Sequence, residues 1–516
     1  MFPFGFNPGT RGQQQGTWTW KNIVDGSDCF ITTISTNRKS ISRTKAHPYT
    51  ASPSPVSNGW CRGAFQSMPY LQAAQEGIIY RYYGRSQEEK ISSFRGSAEI
   101  QSPLPIEASP NHGSLSADLT TSVTFSQAAY ESCVEGKFWI SYMPNSRSFS
   151  LYNDTQRDLG GSISVLRDIL PGKSILRTAL GAIALSAAAN DDNSQYWMKQ
   201  QGTKLHMNAL QQMRKALSSH RKPDLELLGA ARVFSFYEAL YGGDWQNQDA
   251  QSRSWSIYHS GDLALILSNP PSFYATGPAH RLFVDGRLNH VKCALKERKK
   301  LVFSEPAWMT DPWTHHPKTR KDLLVDILLE IPSIYEGVDN MNLLPDSPAK
   351  LRQRFDLQEM VFTIIERLQN WRSNFAVAVA SIGPKWQFPR NMATNEIANA
   401  HIMTLYWASS IIAYGICHTI SDGEFDAVCL DPDGCCRSII RCIPSFLHPS
   451  TGVFRQHLVP FPLIVAARHL KSVQPQKLQE ESDYVRSLCE NPQFTPMHQF
   501  ISSIQPRILS VLKKAD

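Results

Sequence analysis

Apolar residues recur at helical spacing over most of the chain, from about residue 121 onward. In "GKSILRTALGAIALSAAAN" one face carries Ile175, Ala179, Ala182, Ile183 and Ser186, and spacings of three and four residues are typical of an α-helix. Two similar stripes consist of His206, Ala209, Leu210, Met213 and Leu217, and of Leu357, Val361, Ile364, Leu368 and Trp371. Strand-like alternation is scarce and no exact repeat is present. The pattern predicts an all-α fold, a large multi-helix array of packed helical hairpins.

Local signals predict where several of these helices begin and end. Asp224 precedes one apolar run as an N-cap, and Gly242-Gly243 follow it as a stop. In "PAWMTDPWTHHPKTRKDLLVDILLEIP", Thr319 and Asp322 have the spacing of a capping box, a Leu/Ile stripe follows, and Pro332 is predicted to end the helix. Further helices are predicted at 126–143 (closed by Pro144), 394–420, 434–447 and 460–471.

The first 120 residues differ from the rest of the chain. They are rich in Ser, Pro, Gly, Gln and Asn and show no sustained apolar period, which predicts a mostly disordered N-terminal region (1–120) before a helical domain (121–510). The basic cluster "NRKSISRTK" at 37–45 is typical of a solvated linker, and the alternative is a nuclear-import signal.

Composition narrows the class of protein. The 516 residues include 52 basic and 45 acidic side chains, a net charge of +7, which is compatible with nucleic acid nearby without establishing it. Ten cysteines without framework spacing, and a start that does not resemble a signal peptide, favour a reducing compartment. The most apolar stretch, 402–417, is predicted to be a buried helix too short to span a bilayer. We therefore expect a soluble intracellular protein.

The sequence contains no phosphate-binding loop, dinucleotide fingerprint, nucleophile elbow or spaced zinc motif. His315 and His316 are metal-ligand or acid/base candidates, but their Pro-bracketed loop favours diverging side chains. His259 is the better acid/base candidate, although the sequence identifies no nucleophile or carboxylate beside it, so a core role is favoured. No catalytic residue, cofactor or metal site is predicted.

Three other short motifs receive structural interpretations. Cys435-Cys436 favour a core or turn position, because adjacent thiols do not provide the spaced ligands of a zinc site. "DPDG" at 431–434 resembles the start of a calcium loop but lacks its later glutamate, so a turn feeding a helix at 435 is predicted. The run "KERKK" at 296–300 could contact phosphate; a solvated helix end is favoured.

The order of the helical blocks carries more information than any single motif. "LRTALGAIALSAA", "LLGAARVFSFYEAL", "WSIYHSGDLALIL", "ATGPAHRLFVDGRLNHVKCALKERKKLVFSEPAW" and "KDLLVDILLEIP" follow one another, and "IMTLYWASSIIAYG", "CCRSIIRCIPSFL" and "LVPFPLIVAARHL" come later. This order resembles the fungal-specific transcription factor regulatory domain, over roughly residues 121–510. The positions that match the family pattern read as architectural landmarks: His259, Gly261, Gly277, Pro278, Arg287, Trp308, Thr319 and Asp322.

The resemblance implies a nuclear regulator of transcription, with the cytoplasm as the alternative location, controlling a pathway gene set such as a secondary-metabolite cluster. That family usually carries a six-cysteine zinc cluster, but only Cys29 and Cys61 precede residue 120 here, which argues against direct DNA binding. The implied partners are other regulators or DNA-binding proteins, with a small-molecule effector between helices as a further possibility. A partner-dependent regulator, a natural short form and a gene model lacking its first exon remain open.

Two other classes of function remain. One is a pathway enzyme that uses His259 or the His315/His316 loop, and the other is a helical interaction scaffold with no role in transcription. The sequence does not identify target genes, the direction of regulation or the oligomeric state.

Overall fold

The computed structural model describes residues 174–191, 196–219, 224–242, 248–376, 393–421, 430–491 and 494–505, with helical positions at 136, 138–140, 142, 165–166 and 169. Of this part of the chain 88% is helical and none of it forms a strand, which confirms the all-α prediction. The region 1–120, including the basic cluster at 37–45, lies outside the described residues, and so do Pro144 and Gly243.

The first half of the described chain contains seven α-helices: α1 (Ser174–Asp191), α2 (Tyr196–Ser218), α3 (Leu225–Tyr241), α4 (Gln248–Leu267), α5 (Gly277–Glu297), the short α6 (Pro306–Thr310) and α7 (Arg320–Asn342). Short 3₁₀ turns at Pro271–Tyr274, Val302–Ser304 and Asp311–Trp313 join α4 to α5 and α5 to α7.

The second half continues with α8 (Pro348–Phe375), α9 (Thr394–Ile420), α10 (Pro432–Phe446), α11 (Arg455–Leu458), α12 (Pro460–Ser472), α13 (Gln479–Glu490) and α14 (Thr495–Ile504). The 3₁₀ segments Pro449–Phe454 and Pro475–Leu478 precede α11 and α13.

Neighbouring helices pack in pairs, α1 on α2, α3 on α4, α7 on α8 and α9 on α10. The predicted stripes supply the contacts: Ile175, Ala182 and Ile183 of α1 are buried, and so are all five apolar residues predicted for α8. Close approach of α1 and α2 depends on Gly202, because a Cβ atom there would lie 2.3 Å from Ser186 Oγ. α5 touches α3, α4 and α7, and therefore lies at the junction where polar groups from several helices meet.

The predicted helix starts agree with the structure. Asp224 accepts hydrogen bonds from the amides of Glu226 and Leu227 at 3.0 and 3.2 Å, as an N-cap does. The capping box is present at α7, where Asp322 N donates to Thr319 Oγ1 at 3.2 Å and Thr319 N donates to Asp322 Oδ2 at 2.9 Å. Asp431 caps α10, although that helix begins at Pro432 rather than at 435.

The prediction that Pro332 ends its helix is wrong. α7 continues through Pro332 to Asn342. Proline removes one backbone donor inside the helix, which is a local cost. Ile334, Tyr335, Val338 and Met341 on the following turns are all buried, and their burial keeps the chain helical beyond the proline.

α9 contains the most apolar stretch of the chain and is buried, as predicted, but the argument from length was wrong. With 27 residues, α9 is the one helix among the described residues whose length and apolar composition would allow it to cross a membrane. Of the most apolar stretch of α9, 83% is buried inside the protein, which is typical of a core helix.

Candidate functional site

A buried charged cluster connects α3, α4 and α5. Arg232 of α3 lies with its Nε 3.2 Å from both carboxylate oxygens of Asp262 on α4. His290 of α5 places Nε2 2.8 Å from Asp262 Oδ2. All three side chains are at most 6% exposed, so the carboxylate depends on these partners for the stabilisation that water would otherwise provide.

Gly286 makes room for the arginine in this cluster. A Cβ atom at this position would lie 2.0 Å from Arg232 Nη2. The guanidinium also donates from Nη1 to the backbone carbonyl of Leu282, one helical turn earlier. The α5 backbone therefore forms one wall of the arginine site, and a side chain at 286 would occupy the space of the cation.

His259 lies next to this cluster on α4 and is buried, as its predicted core role requires. Its Nδ1 is 2.9 Å from the carbonyl oxygen of Trp255 and 3.1 Å from the hydroxyl of Ser235 on α3. The sequence alone did not identify a partner for His259. The structure places near it the hydroxyl of Ser235, which is 24 residues away along the chain, and the charge of Asp262 also acts on it.

The pKa values in this region reflect burial and charge together. Burial, followed by repulsion from His290, lowers the pKa of His259 to about 3. For Asp262 burial acts to raise the pKa, but Arg232 and His290 outweigh it and lower the value to about 2. The group therefore contains a neutral His259 beside an ionised carboxylate at neutral pH.

The arrangement differs from that of a serine–histidine–aspartate triad. In such a triad the carboxylate orients the same imidazole that activates the hydroxyl. Here Asp262 contacts His290 instead. The Nδ1 atom of His259 lies within hydrogen-bond distance of both the Ser235 hydroxyl and the Trp255 carbonyl oxygen. An imidazole with a pKa of about 3 is also a weak base at neutral pH. The geometry is that of a structural polar cluster.

A second buried cluster joins α5 to α7. Arg287 is fully buried, and its Nη2 donates to Asp322 Oδ1 at 3.0 Å while Nη1 donates to Asp326. Lys318 also pairs with Asp326, so two cations and two carboxylates balance. The guanidinium carbon of Arg287 lies 4.6 Å from the ring centroid of Trp313, within cation–π distance.

The other predicted landmarks surround these clusters. Trp308 on α6 packs its ring 5.5 and 5.2 Å from the rings of Phe283 and Phe303. Gly277 has a positive φ of 63° and begins α5 together with Pro278, a pairing of flexible and fixed φ at a helix start. Gly261 lies partly buried on α4.

The two histidines of the His-His pair lie in different surroundings. His315 is exposed and His316 is partly buried, with the His316 ring centroid 4.5 Å from that of His280. Cys436 is fully buried on α10 and Cys435 is partly buried, in agreement with a core position. Within the described ranges no group of three His, Cys, Asp or Glu side chains is arranged to hold a metal ion.

The basic run at 296–300 is more specifically paired than a solvated helix end. Arg298 donates two hydrogen bonds of 2.7 Å to Asp339 on α7 and lies 4.3 Å from the centroid of the Tyr335 ring. The Lys299 ammonium and the Lys300 amide both bind Glu336. α7 therefore supplies acidic partners to this end of α5, which leaves less positive charge available for a phosphate.

Sequence reasoning missed Arg232, Ser235, Asp262, His290 and Asp326. The available signal was the presence of charged residues within strongly apolar helices. In α3, for example, Arg232 lies in a helix that is almost entirely buried, and a buried charge needs a partner. Comparison with known proteins adds no further assignment: no family model, curated protein or solved structure matches the chain.

Proposed function

We propose that the chain is a regulator of transcription that acts through partner proteins, controlling a pathway gene set such as a fungal secondary-metabolite cluster. The proposal comes from the ordered helical blocks and their resemblance to the fungal-specific transcription factor regulatory domain. The observation that carries it is the position of the landmarks. His259, Arg287, Trp308, Thr319 and Asp322 are separated by up to 63 residues of sequence, yet they belong to adjoining parts of one polar and aromatic assembly around α5.

An exposed apolar face on α8 supports action through a protein contact. Leu351 and Phe355 are 55% and 66% exposed, and Phe362 is 47% exposed. At about 100° per residue these three positions fall within about 40° of one another on the helix. Apolar side chains aligned in this way are typical of a surface that receives a partner helix.

Charges beside this face indicate the chemistry of the partner. Arg352 lies near its N-terminal end, and Glu359 and Glu366 follow along the same flank. We assign the face to an amphipathic helix of a DNA-binding partner, with acidic residues opposite Arg352 and basic residues opposite the two glutamates.

Transcript profiling tests the regulatory role. A deletion strain is complemented with the wild-type chain, with Phe355→Glu, or with Met360→Glu, which lies about 140° further around α8 and is 43% exposed. We expect Phe355→Glu to reproduce the transcript changes of the deletion and Met360→Glu to restore normal transcripts, at equal protein abundance. Unchanged transcripts in the deletion strain itself would contradict the regulatory proposal.

A capture experiment tests the partner. Tagged wild-type and Phe355→Glu chains are cross-linked in cells, and the attached DNA-binding proteins are identified. Loss of one such protein with Phe355→Glu, but not with Met360→Glu, is the expected result. Capture of a second copy of the chain alone would replace the assigned partner with a homodimer. Normal transcripts together with loss of a cytoplasmic partner would favour the alternative function, a helical interaction scaffold.

A further inference from the structure

Basic side chains from four helices lie within electrostatic range of one another in the interior. Lys292 comes from α5, Lys321 from α7, His401 from α9 and His457 from α11. The positive charges of both lysines lower the pKa of each imidazole, and the charge of Lys321 lowers the pKa of Lys292. We call these four residues the interior basic cluster.

The polar atoms of this cluster lack the hydrogen bonds that buried groups normally make. Both ring nitrogens of His401 and Nε2 of His457 have no partner within the described part of the chain. The hydroxyl of Tyr142, whose ring centroid is 6.1 Å from that of His457, also has none. Within the described ranges, the Lys292 ammonium makes one long hydrogen bond, of 3.4 Å, to the Asn289 side-chain oxygen. Native proteins rarely leave several buried donors unpaired at one place.

The cluster contains two lysines, and Asp285 is a described acid that acts on one of them, Lys321. Burial, followed by repulsion from Lys321, lowers the pKa of Lys292 to about 8, so this ammonium keeps its charge at neutral pH. Burial raises the pKa of Asp285, although Lys321 and Arg281 act to lower it, so its ionised form is less favoured than in water. Two interior ammonium groups beside a single carboxylate leave an excess of buried positive charge, which is costly for the protein alone.

Aromatic side chains lie beside the cluster. Lys292, His457 and Asp285 each keep partly accessible surface. Phe236 stacks on His457 at 4.6 Å between centroids, and the centroid of the Phe461 ring is 5.9 Å from Lys292 Nζ.

We propose that the interior basic cluster binds a small organic carboxylate with an aromatic or apolar body. Lys292 and Lys321 supply charge, the imidazole N–H groups of His401 and His457 and the Tyr142 hydroxyl supply hydrogen-bond donors, and the aromatic rings contact the body of the ligand. This site is distinct from the Arg232 and Arg287 clusters, whose charges are already matched. It specifies an effector chemistry for the proposed regulator, and its test does not depend on transcription.

Calorimetry on the purified full chain tests the site with phthalate and benzoate as probes and benzamide as the neutral counterpart. Wild type is compared with Lys292→Met, Lys321→Met and the control Lys477→Met, which removes a surface ammonium that is 63% exposed. We expect phthalate to bind more tightly than benzamide. Each interior variant should weaken phthalate binding by about tenfold or more, the effect of one lost charge-assisted contact, and Lys477→Met should not.

Stability measurements distinguish a binding role from a structural one. A structural role for these lysines predicts that both methionine variants lower the melting temperature. The binding proposal predicts the opposite for the unliganded chain, a melting temperature equal to or above that of wild type, because each variant reduces an excess of buried positive charge.

Several results would overturn the proposal. They are the absence of phthalate binding by wild type, equal binding by wild type and both interior variants, and a crystal structure grown with phthalate that shows only ordered water between Lys292 and Lys321. None of these results bears on the transcript experiment, so the two proposals fail separately.

Discussion

Arg287 and Asp322 join the middle of α5 to the first turn of α7 through a 3.0 Å hydrogen bond between Nη2 and Oδ1. The other oxygen of Asp322 accepts the backbone N–H of Thr319 and closes the capping box. One carboxylate therefore both begins a helix and neutralises a fully buried cation. The start of α7 and the packing of α5 depend on each other through this side chain.

Replacement of Arg287 by methionine should strongly destabilise the fold. The variant keeps an unbranched apolar stem but leaves Asp322 without its cation and Asp326 with Lys318 alone. Removal of one partner from a buried ion pair costs about 3–5 kcal/mol, and we expect a loss of this order in the free energy of unfolding. Equilibrium urea denaturation measures it.

Arg367→Met is the matched control. Arg367 pairs with Glu330, and both side chains are 35% exposed, so water stabilises each charge without the other. We expect a loss of at most about 1 kcal/mol. Equal losses for the two variants would contradict the view that the Arg287 cluster differs in kind from a surface pair.

Thr319→Ala tests the capping half of the same arrangement. It removes the hydroxyl that accepts the Asp322 amide, and loss of an N-cap of this type costs about 1 kcal/mol. Thr363→Ala is the control, since Thr363 lies exposed within α8 and alanine is the better helix former there. Urea midpoints should fall for the first variant and stay level or rise for the second, and a fall in both would argue against the cap.

The features that could be predicted from the sequence are those encoded over a few residues. Thr319 and Asp322 are three positions apart, so their hydrogen bonds follow from helix geometry alone, and Asp224 is an N-cap for the same reason. The stripe on α8 was predictable because its spacing matches the helical period. Pro332 shows the limit of such local rules, because packing of the following turns overrides the signal to stop.

The polar clusters could not be predicted because their partners are distant in sequence. Arg287 contacts carboxylates that are 35 and 39 residues away along the chain, and Arg232 contacts Asp262, which is 30 residues away along the chain. Nothing in the local pattern states which buried charges will face each other. Periodicity identifies the apolar face of a helix, whereas the partner of a polar group on that face depends on the arrangement of the helices.

Gly286→Ala should destabilise the Arg232 cluster. The new methyl group would overlap the guanidinium, which is held by Asp262 and the Leu282 carbonyl, and overpacking of this kind costs about 1–3 kcal/mol. Gly181→Ala on α1 is the control, since its nearest neighbour would be Leu205 Cδ1 at 3.4 Å and alanine favours the helix by up to about 1 kcal/mol. Melting temperatures should move in opposite directions, and a rise with Gly286→Ala would contradict the tight contact.

Buried histidines predict that the fold loses stability in mild acid. Burial lowers the pKa of His206 and, as the largest cause, of His259 and His457 to about 3, from an ordinary value of 6.5. Below pH 6.5 the unfolded chain binds protons that the folded chain does not. The stabilisation is therefore complete above pH 6.5 and declines as the pH falls towards 3, by about 1.4 kcal/mol per pH unit for each histidine.

His206→Phe should reduce this pH dependence. The ring of His206 stacks on Tyr237 with centroids 4.1 Å apart, and neither of its nitrogens has a partner in the described chain, so phenylalanine can replace it without removing a hydrogen bond. Tyr237→Phe is the control, because it alters the same contact and keeps the imidazole. Urea unfolding between about pH 6 and pH 4 should give a slope lower by about 1.4 kcal/mol per pH unit for His206→Phe and the wild-type slope for Tyr237→Phe. An unchanged slope in the first variant would mean that the imidazole becomes protonated inside the folded chain.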